Sequence, residues 1–485
     1  MSPVRAITSH TSAAASAATR YLCVAVHLES RLARAVIQQI LEEPRLAVTR
    51  SPAVDAVTVC LHAVAASRRQ VVRDAVLLGT LALAFYGVTS FPSGLPLVSL
   101  ALIFAWAAVF TEAYAAYWGA IAYSLRAENF ATASPPPAPN DRVRHQIAHV
   151  SAAATGNVTV YRGYNPFGGH GWIRGGWSLA LDTTKPHQAG APIVPFSAVE
   201  LNARLSAELS ALDIPDMTVE NRLLVNGADV HTDRRFVPDP YGAPVPWTDQ
   251  ATLAALMTDP EDRARPYLTV EIVCWDGELV WSAFIRLVVN DTSLFVETNY
   301  TMLPPFRPYY YLIDDLLARP TGVQILRLAG RSAKRLPRAV LDCVPGISNH
   351  LLAGWRCWRK DRRDRRFIRE LSRFHHGALF SPRESAANGD EKGVTYHRYF
   401  QSLDEQMVTK IVDKRIFNTL VDFLCDKNID PAELKRRSEQ IINNSLTIGS
   451  SVSVGGNLSM VHSALGGSHA SNTMNASTFS GTSTP

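Results

Sequence analysis

The sequence predicts an α+β protein held on a membrane by a transmembrane helical hairpin, and three observations support that prediction. Residues 75–125 contain a single charge, Glu112. Strand-like and helix-like segments then alternate between about 141 and 342, the strands joined by tight turns, which predicts a cytosolic antiparallel-sheet domain with packed helices. After these come a C-terminal helical hairpin and a low-complexity tail, with no Asp, Glu, Lys or Arg beyond Glu439.

The 485 residues carry a formal net charge of +5, and arginine far outnumbers lysine, a bias that fits a high-GC bacterial coding background. The six cysteines are scattered without a CxxC pair. That spacing predicts free thiols in a reducing compartment rather than a disulfide framework or a zinc ribbon. The first 20 residues lack the compact apolar run of a signal peptide.

Residues 1–73 form an N-terminal helical segment. Leu22, Val26, Leu32, Val36 and Ile40 predict an amphipathic helix over 14–42, with Pro44 beyond its end. Ser51-Pro52 is a candidate start for a helix running into the first span. The hairpin occupies 74–125. Roughly 20 apolar residues cross a bilayer as a helix, so the length suits two crossings, broken at Pro92, Gly94 and Pro96. Arg68, Arg69 and Arg73 before it and Arg126 after it, with an uncharged turn between, predict that both termini are cytoplasmic. Glu112 would then lie at the interface end of its helix or in an oligomer contact. A Pro-rich linker follows at 126–140.

Within 141–342, VTVYRGY and WSLALD flank a glycine-rich stretch, predicting a long hairpin tip that exposes Trp172 and Arg174 for contact with lipid or protein. A phosphate-binding loop would need a helix after the glycines, and here a strand follows. Ser197 with Glu200 predicts a capped helix. Asp276-Gly277 between two apolar runs predicts a hairpin with a type I′ turn. Residues 343–393 comprise a basic amphipathic helix and a linker. Its tryptophans and arginines, Trp355, Arg356, Trp358, Arg359, Arg362, Arg363, Arg365 and Arg366, suit an anionic leaflet. A solvated, self-paired helix is the competing reading, Asp361 and Asp364 meeting arginines one turn away. Nucleic acid would attract the same charges, but no recognised nucleic-acid module accompanies them. Residues 394–442 predict the helical hairpin, its first helix starting at Ser402 with Glu405. In the tail, 443–485, Leu446, Ile448, Val452 and Val454 alternate with small or polar residues, a period-2 pattern able to add to a sheet edge or to a copy of itself.

Catalytic signals are weak. Asp229, His231 and Asp233 at i, i+2 and i+4 would share one face of a strand, where they could hold a hard or borderline metal as weak catalytic candidates; a solvated turn explains them more simply. His145 and His149 sit one helical turn apart without the glutamate of HExxH. No complete metal site, cofactor motif or nucleophile motif is found, so an enzyme is not the favoured reading.

The stretches NVTVYRGYNPFGGHGW, GGWSLALD, VNGADV, LFVETNYTMLPP, YHRYFQSLDEQM and INNSLTIGSSVSVGG together resemble a family of uncharacterised actinobacterial membrane proteins over about residues 70–460. The resemblance implies a two-span anchor and a cytosolic domain, with no activity or cofactor attached. The favoured function is therefore a membrane-anchored scaffold or signalling protein at the inner membrane. Its expected partners are the anionic bilayer, a cytosolic protein and a second copy of itself. The rival is a membrane-tethered small-ligand sensor or metal-assisted hydrolase.

Overall fold

The computed structural model describes residues 11–90, 92–130, 135–317, 319–371, 373–390 and 393–448. The chain opens with α1 (Thr11–Leu28) and α2 (Ser30–Val36), which a π-helical turn prolongs over Ile37–Leu41. The single helix expected over 14–42 is thus broken at Glu29. Leu22, Cys23, Val24, Ala25 and Val26 of α1 are all buried on adjoining sides, because the helix lies between α3 (Ala56–Thr89) and the aromatic run Phe306–Ile313. Arg20 and Tyr21 both bind Asp314, at 2.6 and 2.7 Å.

Helix α3 begins four residues later than Ser51-Pro52 suggests, because Ala53 has φ 60° and Asp55 supplies the N-cap to the Val57 N–H. It runs 34 residues into a tight turn and returns as α4 (Leu95–Trp118). Gly87 and Gly94 let the two arms touch: a Cβ on Gly94 would sit 1.9 Å from the Gly87 carbonyl oxygen. Both arms are long and apolar enough to cross a membrane, and only 22% and 17% of their most apolar windows are buried. Residues 18–27 of α1 are buried on every side, as in a core helix; most of these two windows is not. Glu112 is paired, with Arg69 Nε at 3.1 Å and Arg73 Nη1 at 3.8 Å. Short helices α5 (Ala120–Ser124) and α6 (Ala127–Phe130) lead to α7 (Asp141–Ala154), capped by Asn140.

The sheet holds β1 (Val158–Tyr161), β2 (Trp172–Asp182), β3 (Met217–Asn226), β4 (Ala264–Cys274), β5 (Leu279–Val289) and β6 (Ser293–Leu303) in the order β1-β3-β4-β5-β6-β2. Every pair is antiparallel except β1 with β3. The expected glycine hairpin does not exist. β1 and β2 lie on opposite edges of the sheet, so residues 162–171 cross the whole of one face. The β4–β5 hairpin forms as its sequence predicts, but through four residues rather than two, with Trp275, Asp276 and Gly277 all at positive φ.

The second face is apolar. Helix α8 (Ala198–Ser210), capped by Ser197 as expected, brings Leu201, Leu205 and Leu209 against Val270, Trp281 and Ile285. Helix α9 (Gln250–Thr258) closes a smaller cluster over Val160, Leu223 and Val225. Alternation along β5 makes this division: Trp281, Ala283 and Ile285 face the helices, while Ser282 and Phe284 face the crossover.

Beyond the sheet, α10 (Gly322–Leu351) opens on a Thr321–Gln324 capping box and lies against both arms of the apolar α3–α4 hairpin. Then come α11 (Ala353–Leu371), α12 (Pro382–Ser385) and the two-residue strands β7 (Gly389–Asp390) and β8 (Gly393–Val394). Helix α13 (Tyr399–Asp426) starts three residues before Ser402, because the Gln401 side chain accepts from the His397 and Arg398 N–H groups. Its inner face, Val408, Val412, Ile416, Phe417 and Leu420, completes the main core. Helix α14 (Ala432–Ile448) takes in Leu446 and Ile448, so the strand pattern expected from those residues gives way to helix there. Val452 and Val454 lie outside the described residues.

Candidate functional site

The crossover is fixed to the sheet by charge as well as by packing. Phe167 is buried against Phe284, ring centroids 4.3 Å apart, and against the edge of Tyr267. His170 Nε2 donates to Glu271 Oε1 at 2.9 Å. Glu271 also meets Arg222 Nη2 at 2.8 Å and Arg50 Nη2 at 3.7 Å. Glu220 completes the box, accepting from Arg222 Nε at 2.8 Å and Arg50 Nη1 at 2.6 Å. The Glu384 carboxylate receives the Gly169 and Gly171 N–H groups at 2.7 and 2.9 Å. Only glycine suits these two positions: both have positive φ, and a Cβ would meet the carbonyl oxygens of Arg50 and Met302 at 2.0 and 2.1 Å.

Burial dominates the electrostatics. It raises the Glu220 carboxyl, and it raises Glu384 despite the two backbone donors. Burial also acts to raise Glu271, but the His170 hydrogen bond and the charges of Arg50 and His170 outweigh it and hold this carboxyl low. Two carboxylates thus face two guanidiniums and an imidazole in one connected charge set. Within and beside it, His170 Nδ1, Arg222 Nη1, Thr269 Oγ1, Ser282 Oγ and Thr301 Oγ1 are buried without a partner among the described residues.

The residues singled out from the sequence fare differently. Asp229 and Asp233 line one shallow pocket of about 360 Å³ with Arg234, Arg235, Glu261 and Arg263. Asp233 there is bound by Arg235 Nη2 at 2.7 Å. His231 turns inward instead, its Nδ1 3.0 Å from His376 Nε2, while His376 Nδ1 bonds the Arg45 carbonyl. Burial lowers both rings, His376 to about 4. Asp276 sits in the β4–β5 turn and Glu297 binds Tyr267 and Asn299, so neither reaches that pocket. His149 bonds the Leu46 carbonyl and His145 is exposed, so they form no pair. Among the described residues, no group of three or more His, Cys, Asp or Glu is placed to hold a metal ion.

Trp172 and Arg174 belong to β2 rather than to a loop tip. Trp172 is partly buried in the ladder opposite Met302, and Arg174 pairs with Glu405 at 3.3 Å. On α11 one face docks on the N-terminal helices, Arg356 meeting Glu42 at 3.9 Å, Lys360 pairing with Glu43 and Asp361 with Arg45. The other face is open. Arg359 lies over Trp355 and Arg362 over Trp358, at 4.5 and 5.5 Å. Arg365 and Arg366 pair along the helix with Asp361 and Glu370, and Arg363 with Asp364.

A second surface escapes the sequence reading. Phe400, Leu403, Met407 and Ile411 recur at i, i+3, i+7 and i+11 on the outer side of α13, with Tyr399 beside them, and all five are exposed. The signal was there: the first half of this helix is apolar on two faces, more than one core can cover.

A model of the AbeC-like domain family matches residues 176–457, more than half of the chain. The match begins within β2 and takes in every later element described above, leaving the apolar α3–α4 hairpin and β1 outside. No curated protein and no solved structure matches.

Proposed function

The chain belongs to the AbeC-like domain family, and on that premise we propose that it is a membrane-anchored protein that holds this domain at the cytoplasmic surface and offers a helical face to a protein partner. The anchor is supported by the poorly buried apolar arms α3 and α4 and by the arginines at their base, which favour the cytoplasmic side. A scaffold or signalling role is favoured by one observation above the others. The α13 stripe spends apolar surface on solvent, with Tyr399 74% and Phe400 65% exposed. Anchors at i, i+3, i+7 and i+11 fit the groove between two helices of a partner, or one helix laid alongside. The partner is a cytosolic protein or a second copy. The outer faces of Trp355 and Trp358 on α11 add contact with the anionic leaflet.

The test is affinity purification from membranes with Leu403→Glu and Met407→Glu, and separately without residues 443–485. Loss of bound protein in the double variant, at unchanged thermal stability, supports the reading; an unchanged set of partners sinks it.

A small-ligand reading is favoured by one observation, the five unpartnered polar atoms beneath the crossover. The ligand would be small and polar, and the crossover its latch. Native mass spectrometry decides: a co-purifying small molecule lost in Thr301→Val supports it, and the bare chain mass in both proteins counts against it.

A further inference from the structure

Helix α10 has three faces. Leu328, Ser332, Ala339 and Cys343 turn inward, toward α3 and α4. Arg327, Arg331, Lys334 and Arg338, at i, i+4, i+7 and i+11, make an exposed basic strip. On the third face Leu326, Ala333, Pro337, Val344 and Leu351 recur at helical spacing, with Leu326 74%, Val344 54% and Leu351 75% exposed. An apolar strip beside a basic one is the pattern of a helix lying in the plane of a membrane surface.

Its position fixes where that surface is. The Trp106 indole donates to the Ala329 carbonyl at 3.2 Å, Leu328 packs with Ala113 and Tyr117, and Gly346 lies against the Asp74 carboxylate. Helix α10 therefore crosses the lower part of the hairpin, from Leu77, Ala105 and Val109 back to the level where Arg69, Arg73, Asp74 and Glu112 form the last charges before the tip. Beyond that level, residues 75–89 and 95–111 extend about 22 and 26 Å at 1.5 Å per residue. A hydrocarbon core is roughly 30 Å thick. The tip carries no charge to hold it among far-side headgroups, and its Thr89 and Ser93 hydroxyls bond carbonyls of their own turns at 2.8 Å.

We propose that the hairpin enters the bilayer from one side and turns back within it, while α10 lies in the interface of that same leaflet. The apolar strip sits among acyl chains and the basic strip faces anionic headgroups, continuous with the lipid-covered arms. This rests on the membrane reading above and adds its depth and geometry: one leaflet surface is touched, not two.

The test uses the full chain, with Cys274, Cys357 and Cys425 replaced by serine, in phosphatidylethanolamine–phosphatidylglycerol vesicles. A bimane is attached at Ser93→Cys or at Val344→Cys, and quenching is compared for lipids brominated near the headgroup and near the chain end. The expected result is stronger quenching of the Ser93 site by deep bromines and of the Val344 site by shallow ones. Stronger shallow quenching at Ser93 places the tip at the far surface and overturns the proposal. No quenching at Val344 by either lipid means that protein, such as a second copy, covers α10, and overturns it equally. A chain that does not associate with vesicles at all removes the membrane reading itself.

Discussion

Asp413 lies on the inner side of α13, fully buried in the main core, where its Oδ1 accepts from the Trp177 indole at 3.0 Å and from the Tyr300 hydroxyl. Its Oδ2 has no partner among the described residues. Burial is the largest influence and raises this carboxyl to about 6, against the two donors that favour the charged form. A carboxyl raised in the fold from 3.8 contributes stability fully below pH 4 and loses it as pH climbs through 6. Two pKa units correspond to about 3 kcal/mol at 1.36 kcal/mol per unit. Asp413→Asn keeps the acceptor for Trp177 and Tyr300 but cannot ionise. Relative to the parent chain it should gain about 3 kcal/mol between pH 4 and pH 7.5, roughly 6–12 °C in melting temperature for a domain of this size. The assay is thermal unfolding of both proteins in the same detergent across that range, read as a difference so that other titrations cancel. A difference that stays flat with pH would refute the reasoning.

Other consequences follow from the same structure. Gly169→Ala and Gly171→Ala should each prevent stable folding or lower the melting temperature sharply, whereas Gly168→Ala, with nothing within 4 Å of its Cβ, should be tolerated; equal effects at all three positions would contradict the crossover geometry. Glu271→Gln leaves the buried Arg222 guanidinium undercompensated and should cost about 3–5 kcal/mol in denaturant unfolding. His376 is held neutral by burial, so its contribution is present above pH 6.5 and lost as pH falls toward 4. His376→Gln should therefore flatten the acid limb of the stability profile, the opposite sense to Asp413→Asn.

How far the sequence revealed this depended on whether the determining forces were local. Ser197 announced its helix because an N-cap is a three-residue event, and the strands around Asp276-Gly277 announced their hairpin because neighbours in sequence pair in space. The helices α3 and α4 were legible for a different reason: a long run with a single charge, broken once by Pro92, Gly94 and Pro96, leaves little but two apolar helices joined by a turn. The glycine-rich segment misled because a strand–glycines–strand pattern does not say which edges the strands take. Only the strand order, set by pairings as distant as Val158 with Leu223 and Trp172 with Met302, turns a tip into a crossover. Its partners were visible as oddities, Glu271 inside an apolar strand and Arg222 inside another, but two buried charges in separate strands do not declare that they meet. His231 was noticed in the company of Asp229 and Asp233 when its true neighbour, His376, lies 145 residues away. The three-sided pattern of α10 could have been read from its spacing; what it packs on could not.

The proposed function depends first on the membrane anchor we propose, and alkaline carbonate extraction of cell membranes tests that anchor most directly. The account predicts that the full chain stays in the pellet after high-speed centrifugation at pH 11 and enters solution only with detergent. Recovery of the intact, folded chain in the carbonate supernatant would contradict it.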